Sequence, residues 1–167
     1  GSGAGRLAYD VHLRRRPAVL LAADLNPLML LVAKRMFAGD HLELYEFPVA
    51  PRDLASHAVL RDLHAPAPAS AGLHLLAADA SRAPFAAGAF DTVITPWLVD
   101  ILDEDFAVFA ARLNQWLKPG GRWVNSGSLF FQHGDPQRCY STDELGDLLG
   151  AAGFGSIEWR EEPVPYL

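Results

Sequence analysis

Short apolar runs that end on an acid or a turn residue, with helical stretches between them, constrain this chain more than any other feature. Ala18–Ala23 (AVLLAA) runs into Asp24, and Leu73–Ala78 (LHLLAA) runs into Asp79. Phe90–Pro96 (FDTVITP) runs into Trp97. Continuous apolar runs of this length suit strands covered on both faces. Arg6–Arg16 reads as a helix, with Leu7 and Val11, joined by Tyr9 and Leu13, as candidates for its apolar face and Pro17 as its stop. Arg14, Arg15 and Arg16 place cations at its negative end. Asp24, Asn26 and Pro27 form a turn that opens a helix over Leu28–Phe37, Pro27 suiting the first helical turn. Leu102–Leu117 reads as a helix with Asp103, Glu104 and Asp105 at its positive end, stopped by the Lys118–Gly121 turn (KPGG). Arg122–Phe131 is expected as a strand. Ser141 and Glu144 form a capping box for a helix to Ala152, and Phe154–Arg160 is expected as a last strand. Residues 38–72 are the least regular part. His41–Phe47 is a strand candidate there, and Pro48, Pro51, Pro66 and Pro68 break the rest into loops of an insertion. The alternation predicts one α/β domain over 1–167, with a mostly parallel sheet and helices on both faces. Ligands of such sheets sit beyond the carboxyl ends of the strands.

Composition narrows the function. A chain of 167 residues buries roughly 70% of its unfolded surface, enough for a real core. A net charge of −6 offers no basic face for nucleic acid. No apolar run approaches the ~20 residues of a membrane span. The one cysteine, Cys139, excludes a disulfide framework and fits a reducing cytoplasm. His12, His41, His57, His64 and His74 show no ligand spacing, so no metal is expected, and Asp62-Leu63-His64 reads as a loop-stabilising group.

The candidate chemistry lies at the strand ends. Gly1-Ser2-Gly3-Ala4-Gly5 precedes a helix, where glycines admit a ligand close to the backbone and the helix N-terminus offers free N–H groups. Arg6 stands where a dinucleotide fingerprint has its last glycine. Asp24 ends the next strand about 20 residues on, where a carboxylate can accept from both hydroxyls of a ribose; a helix cap is the structural alternative. Asp79 can accept from an adenine amino group or close a turn. Pro96 and Trp97 can wall a planar group, or Trp97 can pack in the core. An NAD(P)-linked oxidoreductase or a non-catalytic nucleotide-binding domain also accommodates a glycine loop and a strand-end acid. No Tyr-x-x-x-Lys pair supports the oxidoreductase.

Taken together, GSGAGRLAYD (1–10), AADLNPLML (22–30), LLAADASRAPFAAGAFDTVITPW (75–97) and LNQWLKPGGRWVNSG (113–127) resemble the class I S-adenosylmethionine-dependent methyltransferases. The resemblance implies a Rossmann-like methyltransferase fold and S-adenosyl-L-methionine as cofactor. ITPWLVDI (94–101), RWVNSGSLFF (122–131), YSTDEL (140–145) and the proline-rich segment with Asp62-Leu63-His64 look like the carnosine N-methyltransferase-like family. That likeness implies methyl transfer to a small-molecule nitrogen, an imidazole or amine, as in a histidine-containing dipeptide. It places Gly3, Asp24, Asp79, Ala80 and Pro96 at the cofactor, beside Gly1, Gly5 and Asn26 of the same loop and turn. Asp100 matches the family's acidic substrate residue. The family's substrate histidine falls at Gln132, one place from His133, which is the second catalytic candidate. The family has Glu at the position of Asp24 and Cys at that of Pro96. The motif order further implies a fragment: a strand expected to feed Gly1 and a last strand after Leu167 are missing. Gly1 and Ser2 are then expected to lack an anchor, and cofactor affinity to be poor.

Overall fold

A computed structural model of the chain describes residues 1–48, 50–129, 131 and 136–163. Two compact units are distinguished, Ser2–Ala78 and Asp79–Glu161.

In the first unit the elements are α1 (Arg6–Arg15), β1 (Leu20–Asp24), α2 (Pro27–Ala38), β2 (Leu42–Glu46), β3 (Val59–Leu63) and β4 (Leu73–Ala77). β1 and β4 pair in parallel, Leu20 opposite Leu73 and Asp24 opposite Ala77. A parallel pair needs a crossover; α2 and residues 39–72 supply it. Both α1 and α2 pack on this pair. The core consists of Tyr9, Ala33, Met36, Phe37 and Ala65, with Leu73 and Leu75 against it. α1 ends one residue before the expected Arg16, which instead turns left-handed at φ 48° and donates its N–H to the His12 carbonyl. α2 is capped by Asn26, whose side chain accepts the Leu28 N–H at 3.0 Å, with Pro27 in its first turn. Asp24 is therefore not the cap of that helix.

The segment expected to be mainly loops is more ordered than its prolines suggest. β2 and β3 form an antiparallel ribbon, Leu42 opposite Leu63 and Glu46 opposite Val59. Between them Asp53 and Ser56 cap one another across a one-turn 3-10 helix, Leu54–Ser56. The buried Tyr9 hydroxyl donates to the Ala67 carbonyl at 2.8 Å and so pins the end of this segment to α1.

The second unit contains β5 (Phe90–Pro96), α3 (Phe106–Trp116), β6 (Leu117–Ser126) and α4 (Thr142–Ala151). β5 and β6 pair in parallel. Among the described residues, antiparallel pairing is confined to the β2–β3 ribbon, and the strands pair two by two rather than in one sheet. The mixed α/β layout with parallel pairs is that of a Rossmann-like fold. Leu102–Asp105, expected to be helical, precede α3, because Asp105 is the residue that caps it. The expected KPGG turn lies inside a strand. Phe90 faces Leu117 and Thr92 faces Arg122, so Lys118–Gly121 bulge out against Asp91 alone. The Lys118 ammonium bonds the Asp91 carboxylate at 2.8 Å across that bulge. β6 ends at Ser126, short of the expected Phe131. Phe154–Arg160 is not a strand: among the described residues it joins no ladder, although the Phe154 ring lies 5.5 Å from that of Trp123 in β6. The capping box of Ser141 and Glu144 forms as expected. Phe109, Ala110 and Leu113 of α3 are fully buried, as is Leu145 of α4, and the two helices pack together. Among the described residues no helix is long and apolar enough to cross a membrane.

Asp105 carries the start of α3. One carboxylate oxygen accepts the Ala107 N–H at 2.9 Å, and the other accepts the Tyr140 hydroxyl at 2.6 Å. The tyrosine bond is the main reason the Asp105 carboxyl titrates below its ordinary range, and the same bond pushes Tyr140 up to about 12. The depressed Asp105 contributes stability above its unfolded pKa, lost as pH falls through the folded value. The raised Tyr140 contributes stability below its unfolded pKa of 10, lost as pH rises towards about 12. Tyr140→Phe is expected to lower unfolding free energy by about 1–2 kcal/mol at neutral pH. It should flatten both limbs of the pH–stability profile measured by urea denaturation.

Candidate functional site

The glycine loop is built around one carboxylate. Gly3 and Gly5 both adopt left-handed backbone, φ 52° and 81°, which lets the chain turn from the loop into α1. Gly5 is the N-cap of α1 and brings no side chain to its free N–H groups. A Cβ at Gly5 would lie 2.7 Å from the Phe37 ring and 3.0 Å from Ala33, so this glycine is required by close packing on α2. A Cβ at Gly3 would meet nothing within 4 Å. One oxygen of Asp24 accepts the Gly3 N–H at 2.7 Å, and the other accepts the Asn26 N–H at 2.9 Å. Ser2 donates its N–H to the Ala23 carbonyl at 2.8 Å. The expectation that the loop lacks an anchor is thereby corrected at Ser2: the edge of β1 and the Asp24 side chain hold the loop. Gly1 opens it and is exposed.

Two features of this loop suit a polar ligand. The Ser2 hydroxyl is buried and has no hydrogen-bond partner among the described residues. Buried hydroxyls rarely go unpaired, and an absent ligand or water is the usual reason. The Asp24 carboxylate, with one backbone donor on each oxygen, keeps acceptor capacity for further donors such as ribose hydroxyls. The residues of the loop therefore fit an adenosyl cofactor. Gly3, Gly5, Asp24 and Asn26 are brought together in the first unit.

The remaining candidates lie in the second unit. Asp79 closes a tight turn, its Oδ1 accepting the Ser81 N–H at 2.8 Å. The Ala80 carbonyl accepts from the Arg112 guanidinium, which is ion-paired with Glu104 and lies over the rings of Phe109 and Trp116. Arg112 was not singled out in the sequence, because an arginine in mid-helix carries no local signal of what it holds. Pro96 is half-buried at the end of β5. Trp97, half-exposed at 49%, stands left-handed at φ 47°. Its N–H donates to the Ser126 carbonyl at 2.7 Å, and its ring lies where a Cβ on Gly127 would be, 2.9 Å away. A large residue in that conformation is strained, and such strain collects at functional sites. The core-packing alternative for Trp97 does not hold. Asp100 is half-buried in a one-turn 3-10 helix, Val99–Ile101, fixed by the buried Val99. His133 lies outside the described residues.

At the end of β5 a hydrogen-bonded relay links both strands through the buried Thr95. Trp123 donates its indole N–H to the Thr95 hydroxyl at 2.8 Å, which donates to the Asn125 amide oxygen at 2.8 Å. Thr95 is buried, and the relay fixes the strand ends that carry Pro96 and Trp97. Sequence reasoning missed it, since Thr and Asn in strands are common and their pairing depends on register.

His41, Asp62 and His64, which have no ligand spacing along the sequence, are assembled by the ribbon. His41 Nδ1 lies 2.9 Å and His64 Nδ1 3.1 Å from the same oxygen of Asp62. The His41 contact is the main cause that holds the Asp62 carboxyl below its ordinary range.

Comparison with known proteins agrees with this geometry. Residues 1–125 match the family model described as a methyltransferase domain. No curated protein matches the chain. Among solved structures, the chain is similar to an S-adenosylmethionine-dependent methyltransferase from Mesorhizobium loti, at 19% identity and a TM-score of 0.51, covering 78% of this chain and 45% of that one. It is similar to the [4+2]-cyclase SpnF at 18% identity and a TM-score of 0.61, covering 96% of this chain and 52% of the cyclase. It is also similar to a methyltransferase from Thermotoga maritima described as a possible histamine N-methyltransferase, at 18% identity and a TM-score of 0.55, covering 93% and 62%. The chain thus spans about half the length of the solved structures it matches. At these identities the structural likeness establishes the fold, and the family match over three quarters of the sequence establishes the lineage. The chain belongs to the S-adenosylmethionine-dependent methyltransferase domain family.

Proposed function

We propose that this domain transfers a methyl group from S-adenosyl-L-methionine to a nitrogen of a small imidazole or amine, a histidine-containing dipeptide being one such acceptor. The observation that carries the cofactor half is the loop latched by Asp24, with an open position at Gly3 and an unpaired Ser2 hydroxyl. The Asp24 carboxylate would accept ribose hydroxyls of a bound cofactor, and the uncapped start of α1 would offer its N–H groups to a polar group. Asp79, Ala80 and Pro96 keep the role implied by the resemblance, around the adenine. The cofactor, when bound, supplies a methyl on a positively charged sulfur, already activated for displacement.

The chain then has to orient the acceptor and exclude water. Trp97 offers an apolar face to a planar ring. Asp100 can hold one N–H of an imidazole, which leaves the lone pair of the opposite nitrogen for attack. His133 is the proposed acceptor of the proton released. The nitrogen reading is supported by the carnosine N-methyltransferase-like motifs and by the histamine description of the Thermotoga protein.

Isothermal titration with S-adenosylhomocysteine tests the cofactor half. Saturable binding is expected, with Asp24→Ala and Asp79→Ala each weakening it by about tenfold or more, the loss of roughly one ionic hydrogen bond. Stabilisation by NADH alone would reject the reading in favour of an oxidoreductase. Gly5→Ala should behave differently: strain at positive φ of about 1–2 kcal/mol and the Phe37 clash should lower Tm before they alter the ligand contacts. A methylation screen over imidazoles and primary amines tests the acceptor. Asp100→Asn is expected to cut the rate on an imidazole acceptor by about tenfold or more while S-adenosylhomocysteine affinity holds. Tight cofactor binding without turnover of any nitrogen acceptor would overturn the substrate assignment.

A further inference from the structure

The strongest unassigned feature of the molecule is the His41, Asp62 and His64 cluster on the β2–β3 ribbon, remote in sequence from the glycine loop. Leu42 and Leu63 are the last paired residues at that end of the ribbon. His41 just before β2 and His64 just after β3 therefore face each other one step beyond. Their rings stack at a centroid separation of 4.4 Å and 20° between planes. Both Nδ1 atoms converge on a single oxygen of Asp62, at 2.9 and 3.1 Å. One histidine is enough to satisfy that oxygen in a simple cross-strand pair. Two imidazole nitrogens and a carboxylate converging on one point are a ligand set. The three donor atoms lie within 4.8 Å of one another. A tetrahedral ion with bonds of about 2.0–2.2 Å requires donor separations of roughly 3.3 Å, so small ring rotations suffice.

The charge pattern points the same way. Glu43 stands directly opposite Asp62 in the ribbon register. Like charges directly opposite on a two-stranded ribbon are destabilising unless a cation relieves them. Glu43, Asp62 and His41 line an open groove of about 490 Å³, which leaves room for water or a fourth ligand. The neighbouring cation, Arg35, is already paired with Asp40 at 3.0 Å.

We propose that His41, Asp62 and His64 bind one divalent first-row transition ion of the zinc class, which staples the open end of the β2–β3 ribbon. Imidazole with carboxylate selects ions of this borderline type over magnesium or calcium, which prefer all-oxygen shells. The ribbon has reason to need a staple: both strands are largely exposed, and an isolated two-stranded ribbon is marginally stable. The ion would close the excursion between residues 41 and 64. This site makes no use of the methyl-transfer reading and stands or falls without it.

The test is titration of the full chain, stripped with a chelator, with zinc ions by calorimetry, alongside a thermal melt. One zinc per chain at micromolar affinity is expected, with a rise in Tm that excess chelator reverses. His41→Ala and His64→Ala should each weaken binding by about tenfold or more, Asp62→Asn likewise, and His57→Ala should leave it unchanged. All these side chains are exposed, so the metal-free variants should keep the wild-type circular dichroism, which separates ligand loss from misfolding. Undiminished binding in the His41→Ala/His64→Ala double variant would overturn the site, as would no saturable zinc binding. Equal affinity for magnesium would overturn the transition-ion assignment.

Discussion

The Asp24 carboxylate is the constraint on which the first unit depends. Its two oxygens fix Gly3 of the loop and Asn26 of the next turn, and its own carbonyl accepts the Ala78 N–H beyond β4. One residue therefore sets the entry to α1, the entry to α2 and the carboxyl end of the β1–β4 pair. An uncharged side chain of similar size offers one acceptor where the carboxylate offers two, and it cannot take both backbone donors. The same acid is the residue proposed to accept from a ribose, so under that proposal the position that organises the loop would also read the ligand. Ser2 and Gly3 both bond to the end of β1, and this coupling orders the loop.

The partly buried polar groups of the second unit do comparable structural work. Arg112 is pinned by Glu104 and by two aromatic faces, and from there reaches the Ala80 carbonyl. Removing either charge would leave the other poorly solvated, which makes the pair difficult to lose once formed. The Trp123–Thr95–Asn125 relay uses neutral groups to the same end: the indole and hydroxyl donors each meet an acceptor, so the buried Thr95 adds specificity of register at small desolvation cost. Trp97 can remain in left-handed backbone because this register and Gly127 leave space for its ring.

Elements with local signals were legible in the sequence. The apolar runs gave β1, β4 and β5; Asn26-Pro27 and Ser141-x-x-Glu144 marked helix starts whose caps depend on neighbours two or three residues away. What escaped depends on pairing. β3 (VLRDL) has no apolar face of its own and exists because it finds β2. Phe154–Arg160 has strand-like composition and, among the described residues, joins no ladder. The KPGG turn was visible, but its inclusion inside β6 follows from β5 re-pairing at Thr92 after one intervening residue. For the candidate site, the glycines and acids announced themselves by spacing. The unpaired Ser2 hydroxyl, the Arg112 support and the His41–Asp62–His64 convergence did not, since each is a relation between residues distant in sequence.

A Rossmann-like domain hosts many chemistries, so the acceptor has to be argued from side chains and not from the fold. Methyl transfer asks little of a protein beyond placing a lone pair in line with the methyl and keeping water away. The second-unit residues proposed to meet that demand are a strained, half-exposed aromatic, Trp97, and a half-buried carboxylate, Asp100. In the proposed reaction a carboxylate that takes the hydrogen bond of one N–H suits an acceptor with a second, unprotonated nitrogen. An aliphatic amine would be held by the charge alone and would arrive largely protonated, without a lone pair to give. Near neutral pH an imidazole presents an N–H and a free nitrogen at once, which is the reason it stands first in the proposed acceptor class.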